Sequence, residues 1–356
     1  MSPIILKLSD LIILLLSSVP SLLFWHGSWW IWDHSVTWSI SVISSPDCKI
    51  TGVPSSFLQP WLFLSAFVII RSVFGLLASL TDIEIQSYYR SFFLRIFLII
   101  QSYIAVIIWK CVFDILQYME CYSPKSGYAT ALFLLPCLII FKSTRNLVGN
   151  PVILQSDSIV SVYRSVTILR TNEKVDDSFK FTLVRLLDHL ITNILNLIPV
   201  VLWWAVWELS ESSFNMENDW AFIIVGYLLV IFTFVIEHVY FKYLLPDVDA
   251  DNICSRIKYV CMTCIAFFAS IFVWRGGWAI LDSLVPETSV LPHILFSLIG
   301  LTCMLACNVA NTLTDREFIV DDGRNVKEWG IVTTPERNFF TYCSSDKESE
   351  PLILKS

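Results

Sequence analysis

Apolar residues occur along this chain in long runs separated by short polar segments. Each run is about 20 residues long, the length that an α-helix needs to cross the hydrocarbon core of a bilayer. The pattern predicts eight transmembrane helices, over residues 8–32, 61–80, 93–116, 127–147, 182–207, 220–243, 257–281 and 290–311. The first run follows Lys7, as in a secretory signal, but it carries a motif that returns later in the chain. We therefore expect this helix to be retained.

Composition gives the same class of protein. Hydrophobic residues make up 55% of the chain and charged residues 15%, and the mean hydropathy is +0.66. A soluble domain of this length has a larger charged share. The sequence thus predicts an all-α polytopic membrane protein that is embedded in, and contacts, the lipid bilayer.

A tryptophan motif occurs four times, at intervals of 84, 94 and 71 residues. It reads Trp, any residue, a small residue, any residue, Trp or Phe, and then an acid or amide four residues later. Positions one, five and nine are Trp25, Trp29 and Asp33; Trp109, Phe113 and Gln117; Trp203, Trp207 and Glu211; and Trp274, Trp278 and Asp282. Recurrence of this kind predicts a fourfold internal repeat.

Each copy lies at the end of an odd-numbered predicted helix, and an even-numbered helix then returns. Because every unit crosses the membrane twice, the four units have the same orientation, which predicts four parallel two-helix repeats. The predicted parts are a membrane domain over 1–311 with repeats at about 8–80, 93–147, 182–243 and 257–311, a cytoplasmic loop over 148–181 between the halves, and a cytoplasmic tail over 312–356.

Basic residues indicate the orientation. All but four of the 24 Lys and Arg residues lie on one side of this arrangement, the exceptions being Lys49, Lys110, Lys125 and Arg275. Lys and Arg accumulate on the cytoplasmic side of membrane proteins. We therefore expect both termini to be cytoplasmic.

Charged residues accompany the motif at membrane depth, where a charge is costly unless it pairs or faces a cavity. Motif position two supplies His26, Lys110 and Arg275, position three supplies Gly276, and position six supplies Asp114 and Glu208. Lys110 and Asp114 are one helical turn apart and can pair. Arg275 is expected to pair with Glu208 or Asp282, or with Asp33 if the first and last repeats adjoin around a ring. Three interpretations stay open: ion pairs that lock the helices together, an outward-facing polar vestibule that binds an ion or small solute, or side chains that extend to the membrane surface.

The predicted outer loops carry a candidate disulfide, and the predicted tail carries a candidate sorting signal. Cys48 and Cys121 lie in predicted outer loops, where an oxidising environment favours a disulfide. In the tail, Glu348, Leu352 and Ile353 match an acidic dileucine sorting signal, which implies sorting adaptors as partners and cycling through vesicles or endosomes.

Enzyme chemistry has no support in the residue pattern. The chain lacks a Gly-rich phosphate loop, a nucleophile elbow and a His-x-x-x-His metal motif. It also lacks a basic block of the kind that binds nucleic acid. We expect no catalytic residue, cofactor, metal or nucleic acid, and the sequence does not indicate an oligomeric state.

The segment Trp-Arg-Gly-Gly-Trp-Ala-Ile-Leu-Asp at 274–282, with eight spans and cytoplasmic ends, resembles the Fuseless family of animal multi-pass membrane proteins over about 10–311. Gln117 and Ala205 depart from the pattern. The resemblance implies a non-catalytic, presynaptic plasma-membrane protein that influences calcium-channel placement and transmitter release, with presynaptic channel or scaffold proteins as partners.

A transporter or channel is the alternative, with an outward-facing site lined by the Trp and acid repeat. Transporter sites are often built from helices interrupted by Gly or Pro at matching repeat positions. Pro20, Pro136 and Pro199 have no consistent repeat position, which weighs against transport. The deciding observation is whether the motif helices pack shut or enclose a cavity.

Overall fold

The computed structural model describes residues 3–36, 55–80, 87–120, 126–140, 143–155, 157, 179–213, 219–236, 253–285 and 289–314. Within these ranges the regular elements are helical. The α-helices are α1 (Pro3–Ser35), α2 (Ser55–Leu80), α3 (Ser87–Glu120), α4 (Ser126–Ile140), α5 (Phe179–Leu195), α6 (Leu197–Ser213), α7 (Asp219–Val235), α8 (Ile253–Leu284) and α9 (Val290–Ala306). Short 3₁₀ helices cover Thr144–Leu147 and Ala310–Leu313.

Five helical stretches in the described part are long and apolar enough to cross a membrane. They are Leu11–Ser35, Gln59–Leu77, Phe92–Gln117, Thr182–Ser210 and Ile257–Leu284. The apolar helices α7 and α9 are shorter, at 17 residues each. The predicted all-α membrane class is confirmed, whereas the count of eight spans, the repeat architecture and the cytoplasmic termini stay predictions.

Helices α5 and α6 together make up the stretch Thr182–Ser210, with a break at Asn196. Asn196 N–H still donates to Thr192 O at 3.0 Å, which keeps the chain direction. Pro199 follows, and a proline has no N–H to donate to the carbonyl four residues earlier. Pro199 therefore cannot donate a helical hydrogen bond to the carbonyl of Leu195, the last residue of α5, which is where the break lies.

The surface of the bundle is apolar and its interior contains many small polar residues. Large exposed side chains include Leu62, Phe133, Ile140, Leu228 and Leu291. Ser102, by contrast, is fully buried, and its hydroxyl donates to Leu98 O at 2.8 Å, one turn back. Polar groups that are satisfied inside and apolar groups that face outward suit a lipid environment.

Each helix that carries the motif packs closely against the return helix of the preceding unit. The pairs are α2 with α3, α4 with α6, α7 with α8, and α9 with α1. Glycines allow these approaches: a Cβ at Gly300 would lie 2.4 Å from Pro20 O, and one at Gly27 would lie 2.3 Å from His293 O. Small residues at helix crossings are the usual means of close packing in membranes.

Residues 143–155 contain no α-helix, only the 3₁₀ turn Thr144–Leu147, and lie largely buried within the bundle; we call them the plug segment. Leu147 and Val152 are fully buried, and Ile153 is 2% exposed. The sequence placed 148–155 at the start of the cytoplasmic loop. The structure instead places these residues among the helices, and 158–178, the bulk of that loop, fall outside the described residues.

Candidate functional site

The four first-position tryptophans of the motif contact one another in a closed ring. Each indole meets its two neighbours edge to face, with centroid distances of 5.4 Å for Trp25–Trp109, 5.5 Å for Trp109–Trp203, 6.4 Å for Trp203–Trp274 and 5.8 Å for Trp274–Trp25. Edge-to-face pairs at such distances are favourable, at about 0.5–1.5 kcal/mol each beyond the buried area. The order around the ring therefore follows the order of the motif copies in the chain.

A second level of aromatic rings lies one turn further along the same helices. Trp29 contacts Phe113 at 5.4 Å and Trp278 at 5.5 Å, and Trp278 contacts Trp207 at 6.2 Å, all edge to face. First positions meet first positions and fifth positions meet fifth positions. This alignment requires α1, α3, α6 and α8 to run in the same direction.

These two levels line a cavity of about 260 Å³, which we call the chamber. Its aromatic wall is made by the first and fifth motif positions, namely Trp25, Trp29, Trp109, Phe113, Trp203, Trp207, Trp274 and Trp278. Polar residues complete it: Gln117 and Glu208 from motif helices, Asn146, Asn150 and Gln155 from the plug segment, and Thr312 and Thr314. Among the described lining residues, Glu208 is the one that carries a formal charge.

The plug segment lines the chamber, as its floor, and is held there by hydrogen bonds to the motif helices. Trp203 Nε1 donates to Leu147 O at 2.8 Å, and Trp274 Nε1 donates to Asn150 O at 2.6 Å. Asn150 Nδ2 in turn donates to Ser17 Oγ at 2.9 Å. Non-helical backbone is tolerated at membrane depth when protein groups satisfy it. First-position tryptophans thus line the chamber, and two of them also hydrogen-bond to the plug segment, which forms its floor.

Lys110 is the centre of a buried charge cluster. Its Nζ lies 2.9 Å from Asp33 Oδ1 and also forms an ion pair with Asp114. The three side chains are 5%, 12% and 8% exposed. The predicted Lys110–Asp114 pair is present, and Lys110 also compensates the motif acid Asp33 on the neighbouring helix.

A second motif acid is compensated across the ring in the same way. His26 Nε2 lies 2.8 Å from Asp282 Oδ1, and Trp30 Nε1 donates to the same oxygen at 3.2 Å. His26 and Lys110 both occupy motif position two. The acid of one copy therefore meets position two of the next copy, with the fourth copy followed by the first.

Arg275, at position two of the fourth copy, faces the third copy as this order requires. Its Nη1 donates to Trp207 O and to Ser210 Oγ, each at 2.9 Å. Its guanidinium carbon lies 5.0 Å from the centroid of the Phe222 ring. Asp282, one of the two carboxylates predicted for Arg275, contacts His26 instead. Glu211 follows Ser210 on α6, but its side chain is outside the described part.

Several predicted residues cannot be placed. Cys48, Cys121, Glu348, Leu352 and Ile353 lie outside the described residues, so the disulfide and the sorting signal stay predictions. Gly276 is placed, and a Cβ on it would lie 2.7 Å from Asp219 O, which explains the small residue at position three.

Sequence reasoning missed the floor of the chamber and a histidine cluster beside it. His293 stacks on Trp30 with centroids 5.4 Å apart, and its ring lies 5.5 Å from that of His26 and 5.9 Å from that of His34. These residues come from α1 and α9, the two ends of the described bundle. No local pattern in the sequence connects them.

The plug segment continues into a contact with the end of the bundle. Asp157 Oδ1 accepts a hydrogen bond from Asn311 N–H at 2.6 Å, and Asp157 N–H donates to Asn308 O at 2.8 Å. Burial raises the pKa of the Asp157 carboxyl to about 6, against the opposing effect of the hydrogen bonds from Asn311 and Ala310. This contact joins the segment after α4 to the segment after α9.

Fold and site together define a helical membrane protein whose four tryptophan motifs surround a central chamber. The Fuseless family profile matches residues 5–314. The chain belongs to the Fuseless family, and the predicted resemblance is confirmed. No curated protein and no solved structure matches it.

Proposed function

We propose that this protein is a non-catalytic membrane protein of the presynaptic plasma membrane that regulates calcium-channel placement and transmitter release. The observation that carries the proposal is family membership across residues 5–314, which cover the described helices except for the first two residues of α1. The geometry favours a regulator over an open channel, because the plug segment lies among the motif helices and is bound by Trp203 and Trp274.

The test is loss of the protein in neurons, followed by rescue with the tagged full-length chain. We expect the tag at presynaptic sites, reduced calcium-channel clustering without the protein, reduced evoked release, and recovery on rescue. A matched rescue with a variant that does not fold controls for expression. Normal channel clusters and normal release in neurons that lack the protein would contradict the proposal.

Sorting adaptors and scaffold proteins are the proposed cytoplasmic partners. The dileucine match at Glu348, Leu352 and Ile353 supports cycling between the plasma membrane and endosomes or vesicles. Replacing Leu352 and Ile353 together with alanine should raise the surface fraction measured by biotinylation. An unchanged surface fraction and unchanged uptake rate would remove this part of the proposal.

A second candidate function is the binding of a small solute in the chamber, with or without transport. The specific observation is the chamber of about 260 Å³ at the centre of the motif rings, where a purely structural core would be filled. A bound solute would regulate the bundle, or cross it if the plug segment moves. Uptake into proteoliposomes separates the two: binding without accumulation supports a sensor, and accumulation supports a transporter.

A further inference from the structure

The end of α9 carries two exposed cysteines with free thiols, Cys303 in the last turn and Cys307 directly after the helix. They are four residues apart, so both lie on the same face. Further back along α9 that face is apolar, with Leu291, Leu295 and Ile299 exposed at the same spacing of four residues. The two thiols therefore continue the apolar stripe that α9 presents outward.

The cysteine pair lies close to the membrane surface. Helix α9 has 17 residues, which span about 26 Å at 1.5 Å per residue, close to the roughly 30 Å of a bilayer core. Next to Cys307 is Asn308, whose Oδ1 accepts a hydrogen bond from Nη2 of the exposed Arg95 at 3.5 Å. A charged head group beside the end of an apolar helix is typical of the membrane–water interface.

Arg95 also indicates which side of the membrane this end faces. It is one of the basic residues that the sequence assigns to the cytoplasmic side, where Lys and Arg accumulate. That compartment is reducing and keeps thiols free. Cysteines beside the membrane end of a helix are typical acceptors of reversible S-palmitoylation, and its acyl donor, a long-chain acyl-coenzyme A, is a cytoplasmic compound.

The other cysteines of the described part lack this combination of features. Cys111 is buried, and Cys137 and Cys264 are half-buried. Cys261 is exposed, but it lies inside the apolar stretch Ile257–Leu284 and has no second exposed cysteine one turn away. Exposure, a paired thiol and a place at the helix end meet at α9.

We infer that Cys303 and Cys307 are sites of reversible S-acylation with a long-chain fatty acid. A membrane acyltransferase uses acyl-coenzyme A as the donor. The cysteine sulfur attacks the thioester carbonyl and forms a new bond to the acyl carbon, the bond from that carbon to the sulfur of coenzyme A breaks, and the cysteine proton passes to the released coenzyme A thiolate. The inference goes beyond the proposed function and depends neither on the presynaptic role nor on solute binding.

The test expresses the full-length chain in animal cells and counts the thioesters on it. Disulfides are reduced and free thiols are blocked, hydroxylamine then cleaves thioesters, and each thiol that is revealed takes one polyethylene glycol maleimide, which shifts the band on a gel. We expect the double variant Cys303→Ser, Cys307→Ser to carry two tags fewer than the wild type, and each single variant one fewer. An alkyne analogue of palmitate should label the double variant less than the wild type.

Cys261→Ser is the matched control, because it makes the same change at another exposed helical cysteine, and it should keep the tag number of the wild type. Melting temperature and elution volume equal to those of the wild type show that the variants fold. Tags lost from the pair variants and kept by the control support the inference. A double variant with as many tags as the wild type overturns it. So does an equal loss in Cys261→Ser, because exposure alone would then decide, and so do thiols at the pair that reduction reveals, because they would be a disulfide.

Discussion

Lys110→Met is the most informative single substitution in the bundle. The ammonium of Lys110 joins two carboxylates on different helices, Asp33 on α1 and Asp114 on α3. Methionine is a similar length and keeps the apolar stem, so the substitution removes the charge with little loss of packing. Both carboxylates then remain in a site where their side chains are 12% and 8% exposed.

The expected loss of stability is large. Removing one partner of a buried ion pair typically costs about 3–5 kcal/mol, because the remaining charge is stranded. Here one ammonium serves two acids, so a loss within that range is expected. The cost falls once the acids are also neutral. The triple variant with Lys110→Met, Asp33→Asn and Asp114→Asn should therefore recover much of the lost stability.

Thermal unfolding of purified protein in detergent micelles, followed by tryptophan fluorescence and by loss of the monodisperse peak, measures this. The control is Arg95→Met on the same helix, an exposed residue for which a change of about 1 kcal/mol or less is expected. A Lys110→Met variant with the melting temperature of the wild type would refute the reasoning. So would a triple variant that is less stable than Lys110→Met alone.

Three further predictions concern other contacts. Gly276→Ala should destabilise the bundle by about 1–3 kcal/mol, since its Cβ would meet backbone of α7 at 2.7 Å, whereas the adjacent Gly277→Ala meets a flexible leucine end and should cost clearly less in the same melting assay. Asp157 has a folded pKa of about 6 against an ordinary 3.8, so the folded state binds more protons between these values. Its contribution to stability is complete below pH 3.8 and is lost as the pH rises through 6, and Asp157→Asn should abolish that slope in melting curves from pH 4 to 7. Glu211 should pair with Arg275 by the order of the ring, and a double-mutant cycle of Glu211→Gln and Arg275→Gln should give a coupling of about 1 kcal/mol or more; a coupling near zero would contradict the pairing.

Sequence alone predicts the membrane class and the family because both depend on local features. The apolar runs set the helices, and the run read at 257–281 lies within α8, Ile253–Leu284. Positions one, five and nine of the motif share one helix face, so their common direction could be anticipated. The identity of the residues that meet them could not.

The plug segment shows why part of the site was not predictable. Its apolar residues, such as Leu147, Val152 and Leu154, are buried at 2% exposure or less, yet they belong to no α-helix. Hydrophobic periodicity detects helices and strands, and this segment is interrupted by Gly149, Asn150 and Pro151. A short apolar run around such residues reads as the end of a helix and the start of a loop.

Partner choice for the charges required the order of the ring. Arg275 was expected to pair with Glu208 or Asp282, the acids nearest to it by motif position and by predicted depth in the membrane. Asp282 instead contacts His26 of the first copy, and Arg275 contacts Trp207 O and Ser210 Oγ of the third. The direction of this offset depends on how helices far apart in sequence pack, which no single segment encodes.

The offset packing also explains why α1 and α9 contact each other so closely. Because each motif helix packs on the return helix before it, α1 has no preceding partner in sequence, and α9 takes that place. The fit is made by backbone, since a Cβ at Gly27 would lie 2.3 Å from His293 O and one at Gly300 would lie 2.4 Å from Pro20 O. A ring of this kind closes only when its last helix is present, so the wall that Trp25 and Trp29 give to the chamber depends on α9, although α9 lines none of it.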